Sequence, residues 1–305
     1  MHHVSGNSIR VDAGELADNL RKKGQWMQEH IRSTEWIEED EEKGWFNGYY
    51  DDHGAALEGI RGGRAHMMLT GQVFSLMNAT ATKEQAQKII RSAEGHLFDA
   101  SCGGYRLNTD FGEIKTDMGR MFGFAYGEKE NGAVFSHLAV MYANALYTRG
   151  FAREGYKALQ ALYRQAMDPA KSRIYPGIPE YFGHGGSGLY HYLTGAASWY
   201  MLTVVTGAFG VRGSYGDLLV EPMLVKEQFS EERLATIQLK FRGKTIQLQY
   251  VNADRLDYGE YHLQGVQTGE DIVYIREGDT LRIPAEQIAE MSECGVHRIV
   301  ITLGK

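Results

Sequence analysis

Proline and cysteine are both scarce in this chain. Five prolines stand against thirty-seven glycines in 305 residues, a balance that points to tight turns and close backbone approaches rather than disorder. The two cysteines, Cys102 and Cys294, are too few and too far apart for a disulfide framework. They read as reduced thiols of a cytosolic protein. No basic cluster suits a phosphate backbone and the net charge is −7, so nucleic acid is not expected as a partner. The N-terminus has no apolar core of the kind a secretory signal needs. The longest apolar-leaning run, Ala196 to Phe209, is too short and too polar to span a bilayer. HExxH and CxxC patterns are missing, and His184 and His191 have no ligand spacing with His137, so no metal site is expected. What remains is a cytoplasmic, globular protein, 43% apolar and 23% charged, long enough for one large domain or two ordinary ones.

Two rhythms divide the chain. Residues 13–33 carry an amphipathic stripe of Leu16, Leu20, Trp26 and Ile31, the period of a helix. An acidic run, Glu38 to Glu42, reads as a solvated loop, followed by an aromatic and polar loop from Trp45 to Gly54. Helices are expected over 67–78 and 83–98, with Thr82 as N-cap of the second, then over 134–149 and 152–167. Pro176, Pro179 and the glycines between Gly183 and Gly188 rule out a long helix between 168 and 192. A buried helix is expected over 194–208. Beyond Gly210 the pattern becomes short and β-rich, at 218–224, 235–241, 245–251, 261–266, 272–275, 280–283 and 297–302. Helices followed by strands indicate an α+β multidomain chain, with domains at 1–210 and 211–305.

Three polar clusters interrupt the helical half: Lys129-Glu130-Asn131-Gly132 with His137; Pro179-Glu180-Tyr181; and Tyr190-His191-Tyr192-Leu193-Thr194-Gly195 running to Trp199. Aromatic faces stack on pyranose rings and carboxylates accept sugar hydroxyl hydrogens. A His or a Thr-Gly pair at a helix start suits an anion. Each residue also has a plain structural reading: a core histidine, a simple N-cap, exposed loop charges. Tyr190, Tyr192 and Trp199 divide between cavity lining and core. Asp51 and Asp52 suggest paired carboxylates, but adjacent side chains seldom reach the same atom.

These clusters, in this order, resemble the inverting β-glycoside phosphorylases of glycoside hydrolase family 94. The resemblance runs from about residue 13 to about residue 225, and Tyr190 to Gly195 is nearest in wording to the 1,2-β-oligoglucan members. It implies a partial (α/α)6 toroid, the C-terminal part of the barrel, followed by a small C-terminal β-sandwich. It also implies phosphate binding by His137, Thr194 and Gly195, and sugar binding by Glu130 and Glu180. No cofactor is implied; inorganic phosphate is a co-substrate, and the partner is a β-glucan oligosaccharide or disaccharide.

Two departures matter. Many members carry an Arg near Asn47-Gly48, which this chain lacks. The family's general acid, an Asp in an Asp-Trp-Asn-Asp-like segment, lies upstream of the helix at 13–33. No such segment is present, nor are the family's N-terminal β-sandwich and the arginines that complete its phosphate site. No catalytic residue is therefore expected within these residues, and the chain reads as a C-terminal portion, inactive by itself. A homodimer or a complementing N-terminal portion is expected to cover the open faces of the toroid. The other readings are a non-catalytic carbohydrate-binding protein and a free-standing (α/α) glycoside hydrolase using Glu130 or Asp51.

Overall fold

The computed structural model describes residues 6, 8–112, 116–175, 177–191, 195–269 and 272–305. Helix α1 spans Ala13–Thr34 and is capped by Asp12, whose carboxylate accepts the Glu15 amide at 2.9 Å. The chain then reverses through strands β1 (Trp36–Glu38) and β2 (Gly44–Phe46). The acidic run forms the tip of this hairpin, and all of it but Glu39 is exposed, as a solvated loop would be. Asp40 accepts the Glu42 and Lys43 amides, closing a tight turn on its own backbone. Glu39 meets His96 at 2.7 Å, and Glu38 meets Lys88. Trp45, expected in a loop, is wholly buried on β2.

A second hairpin, β3 (Gly59–Arg61) with β4 (Arg64–His66), leads into α2 (Leu69–Met77) and α3 (Lys83–His96). A reciprocal capping box starts α3. Thr82 accepts the Gln85 amide and Gln85 accepts the Thr82 amide, each at 3.1 Å. Strands β5 (Phe98–Asp99) and β6 (Gly104–Tyr105) pair next. β7 (Val134–Phe135) runs into α4 (Ser136–Thr148), which is followed by α5 (Ala152–Ala166) and the short α6 (Pro169–Ser172). Then come β8 (Tyr181–Phe182), β9 (Gly188–Leu189) and α7 (Gly195–Thr203), which continues as a π turn over Val204–Ala208.

Helix α4 is the hub, packed against α2, α5 and α7. It is apolar around most of its circumference, and Val140, Tyr142, Ala143, Ala145, Leu146 and Tyr147 are all buried, as a central helix requires. The helices at the two ends of this array are covered least. No residue of α1 is buried, and Leu16, Leu20, Trp26 and Met27 are each about half exposed or more. In α7 and the π turn only Ala196, Thr203, Gly207 and Ala208 are buried, while Met201 and Leu202 face outward. The expectation of a buried helix over 194–208 is corrected on that side: the segment is apolar all round, but only one face meets α4.

From Val211 onward the chain is mostly strand. One four-stranded sheet has the order β10 (Val211–Ser214), β11 (Asp217–Val220), β16 (Thr280–Ile283), β15 (Ile275–Glu277), all antiparallel. The other has the order β12 (Leu234–Phe241), β13 (Lys244–Val251), β17 (Val296–Gly304), β14 (His262–Thr268), with β13 and β17 parallel. Strand β10 and helix α8 (Ala285–Glu290) were not expected from the sequence. Leu218, Val220, Leu281 and Ile283 of the first sheet share a core with Ile246, Leu248, Tyr250 and Ile301 of the second, and that core is continuous with the one beneath α4. The Tyr250 hydroxyl donates to the Phe209 carbonyl at 2.7 Å, tying the second sheet to the end of the π turn. Cys102 is buried, Cys294 is exposed, and the two are unbonded. Among the described residues no helix is long and apolar enough to cross a membrane.

Candidate functional site

The three polar clusters meet on one small sheet. β8 is its central strand, pairing Phe182 with Val134 and Tyr181 with Phe135 on one side, and Tyr181 with Leu189 and Phe182 with Gly188 on the other. The Ser136 amide donates to the Glu180 carbonyl at 2.9 Å, and the Glu180 amide donates to the Tyr190 carbonyl at 3.1 Å. Segments 44 and 10 residues apart are thus held by backbone hydrogen bonds rather than by mobile side chains. Tyr181 stacks on Phe135 with ring centroids 5.8 Å apart and tilts against Tyr190 at the same distance. Burial, with Glu128 second, pushes the Tyr181 phenol up to about 12, so it stays a neutral donor near neutral pH. A cavity of about 190 Å³ opens here, lined by Arg120, Lys129, Glu130, Phe135, Glu180, Tyr181 and Tyr190. Glu130 and Glu180, singled out separately in the sequence, lie on that one cavity.

Asn131 and Gly132 shape the turn that presents Glu130. The Asn131 amide donates to the Phe124 carbonyl at 2.8 Å and its oxygen accepts from Asn108 at 3.0 Å. The Gly132 amide donates to Asn108 at 2.8 Å, and at φ +77° a Cβ there would overlap the Tyr126 ring. Both residues are engaged in holding the turn, and Lys129 and Glu130 are the members of this segment that line the cavity. One Glu130 oxygen lies 3.7 Å from Arg120 and the other is buried without a partner.

His137 stands in the first turn of α4, whose start has no side-chain cap. Its ring is half-buried, tilted 5.7 Å from Trp199, and its Nε2 is buried without a hydrogen-bond partner. Among the described residues six buried side chains carry such an atom. Trp45, Tyr142 and Tyr147 belong to the core, but Glu130, Ser136 and His137 fall within eight residues of one another. A polar atom buried without a partner costs about 1–3 kcal/mol, so Glu130 and His137 each have an unused polar atom that a ligand could satisfy. Gly195 opens α7 directly against this histidine: a Cβ there would lie 2.7 Å from the His137 Cε1 and 3.0 Å from its Nδ1. Thr194, the other expected phosphate ligand, lies outside the described residues, as does Tyr192.

Two cations at the cavity were missed by sequence reasoning. Lys129 has a left-handed backbone, φ 48°, and its ammonium lies 4.9 Å from the Tyr190 ring centroid and 5.3 Å from that of Phe124. The hydrogen bond with Tyr190 holds its pKa above the ordinary lysine value. The Arg120 guanidinium lies over the Phe124 ring, 5.3 Å from its centroid. Lys129 was legible as the residue preceding Glu130, whereas Arg120 sits in no motif. Conversely, Asp51 is a turn-former. Its carboxylate accepts the Ala55 and His53 amides at 2.8 and 2.9 Å, and those bonds, Ala55 first, hold its pKa below the usual carboxylate range. A carboxyl that ionises so readily is poorly suited to donate a proton as a general acid.

The sequence matches the family model described as "Glycosyl hydrolase 94 superfamily, catalytic domain" over residues 10–210. The chain is 23% identical over 290 residues to cellobionic acid phosphorylase of Neurospora crassa, covering 90% of this chain and 32% of that protein. It is 23% identical over 252 residues to solabiose phosphorylase of Paenibacillus borealis, covering 80% and 32% respectively. With N,N'-diacetylchitobiose phosphorylase of Vibrio proteolyticus it shares 28% identity over 262 residues, covering 80% and 30%. The chain therefore spans about a third of the length of these curated relatives. By the match over residues 10–210, with the three motif segments inside it, the chain belongs to the glycosyl hydrolase 94 superfamily through its catalytic domain.

Proposed function

We propose that this chain is the phosphate- and sugar-binding portion of an inverting β-glucoside phosphorylase, which converts a β-glucoside and phosphate into α-glucose 1-phosphate and a shortened acceptor. The observation that carries the reading is the convergence on sheet β7–β8–β9: Glu130 and Glu180 share one cavity, and the strand that carries Phe135 delivers His137 to Gly195. In this reading Glu130 and Glu180 accept sugar hydroxyl hydrogens, while His137 Nε2, Thr194 and Gly195 hold phosphate at the starts of α4 and α7. Tyr181 and Tyr190 line the same cavity.

Phosphate attacks the anomeric carbon from the face opposite the leaving oxygen, so the configuration inverts. One general acid suffices, because phosphate stands where an inverting hydrolase needs a base-activated water. The site's contribution is to hold the dianion against the sugar and keep water out. In this reading the general acid is not among these residues, and the chain assayed alone is expected to turn over no β-glucan. The uncovered faces of α1 and α7 support reading residues 1–210 as part of an (α/α)6 barrel, completed by a further portion or a second copy. Residues 211–305 are then its β-sandwich.

Saturation-transfer NMR with sophorose and cellobiose tests the sugar half. Transfer to the sugar ring protons is expected with the wild-type chain, and is expected to drop several-fold in Glu130→Gln and Glu180→Gln. Equal transfer in all three would remove both carboxylates from the site. Measurable phosphorolysis by the pure chain would contradict the missing acid.

A further inference from the structure

A second surface, on the sheet β10-β11-β16-β15, has features the cavity at Glu130 does not use. β10 and β11 are joined by Tyr215 and Gly216, both at positive φ, 51° and 99°. This is a primed hairpin turn, whose first position favours Asn, Asp or Gly because a side chain is strained there. Tyrosine takes it here, and its ring is fully exposed. The tip itself is fixed. Arg242 donates to the Ala285 carbonyl at 3.1 Å and to the Gly216 carbonyl at 3.5 Å, and a Cβ on Gly216 would lie 3.2 Å from that of Ala285. A strained position therefore holds a large aromatic that buries nothing, on a backbone that is pinned. Strained positions of this kind cluster at functional sites.

Beside Tyr215 the sheet forms a hollow of about 430 Å³, lined by Ser214, Asp217, Leu219, Glu277, Thr280 and Arg282. Their alternates Leu218, Val220, Leu281 and Ile283 are buried, so strand alternation sets the hollow on the outer face. Asp217 fixes Arg282 through Nε at 2.6 Å, which leaves the guanidinium's two terminal nitrogens for other acceptors. Asp217 and Glu277 are balanced by Arg282 and by Arg242 at the hairpin tip, so the face has no excess of positive charge to favour a polyanion. A platform ring beside hydroxyl, carboxylate and guanidinium groups on an extended face suits a neutral chain of pyranose rings. We propose that this face is an accessory binding surface for a β-linked glucan, with Tyr215 as its stacking platform. The choice of a β-glucan rests on the function proposed above; the neutral-glycan chemistry rests on the surface itself.

Affinity electrophoresis of the full chain through gels containing soluble β-1,2-glucan, and in parallel mixed-linkage β-glucan, tests this without phosphate. The wild-type chain and Tyr215→Trp are expected to be retarded in at least one gel. Tyr215→Ala is expected to bind about tenfold more weakly, the scale of one lost aromatic contact, with unchanged thermal stability. The double variant Glu130→Gln/Glu180→Gln is expected to remain retarded. No retardation of the wild type in either gel, retardation of Tyr215→Ala equal to wild type, or loss in the double variant alone would each overturn the proposal. Phosphate binding that depends on His137 is measured separately, so failure here leaves the phosphorylase reading standing, and the converse also holds.

Discussion

Gly195 abuts the imidazole of His137 so closely that a single added carbon would lie 2.7 Å from Cε1. The start of α7 and the first turn of α4 are therefore one structural unit, though the residues are 58 positions apart in the sequence. Gly195→Ala is expected to displace the ring and weaken phosphate binding about tenfold or more. The glycine lies at the first residue of α7, so the clash with one side chain should lower the melting temperature far less than it lowers the affinity. Calorimetric titration beside thermal melting separates the two effects.

Glu58 is buried between two backbone segments, accepting the Gly48 and Met68 amides at 2.7 Å each. Burial dominates those bonds and pushes its carboxyl up to about 8 from an ordinary 4.5. The unfolded chain thus loses this proton at lower pH than the native one. The contribution to stability is complete below about pH 4.5 and is lost as pH rises through about 8. Urea midpoints are expected to fall across that window in the wild type, and to fall less steeply in Glu58→Gln. Parallel slopes would remove Glu58 as the cause.

Gly210 joins the helical and strand-rich parts at φ +67°, where a Cβ would collide with the Glu221 carbonyl. Neither the backbone nor the neighbour can relax cheaply, so Gly210→Ala should destabilise by about 3 kcal/mol or more, in the range reserved for strain and overpacking. Thr82→Ala, which removes one half of the α3 capping box, should cost only about 1 kcal/mol. Chemical denaturation of the two variants side by side checks the ranking.

The exposed apolar face of α1, with Leu20 58% and Trp26 63% accessible, is expected to drive concentration-dependent self-association. Light scattering should show it in the wild type and show it reduced in Leu20→Glu/Trp26→Glu. A clean monomer at all concentrations would count against a partial toroid.

Elements with strong local signals were legible in the sequence. α3 was readable because Thr82 and Gln85 make a capping box, and β13 because Ile246, Leu248 and Tyr250 alternate inward. Glu130 and Glu180 could be picked out because turn-formers flank them. Arg120 could not, since a cation on a short 3-10 turn (Arg120–Gly123) has no periodic signature, and only the fold brings it within 3.7 Å of Glu130. The acidic run was read as solvated, and its contacts with Lys88 and His96 were not legible because those partners lie some fifty residues away. The exposure of α7 was misread because composition reports how apolar a helix is, not whether a neighbour covers it.

Isothermal titration of the full chain with inorganic phosphate, with and without glucose or sophorose and beside His137→Ala, tests the central claim most directly. Saturable phosphate binding that is lost in His137→Ala is the predicted result. Binding unaffected by the substitution, or none at all with the chain folded, would contradict it.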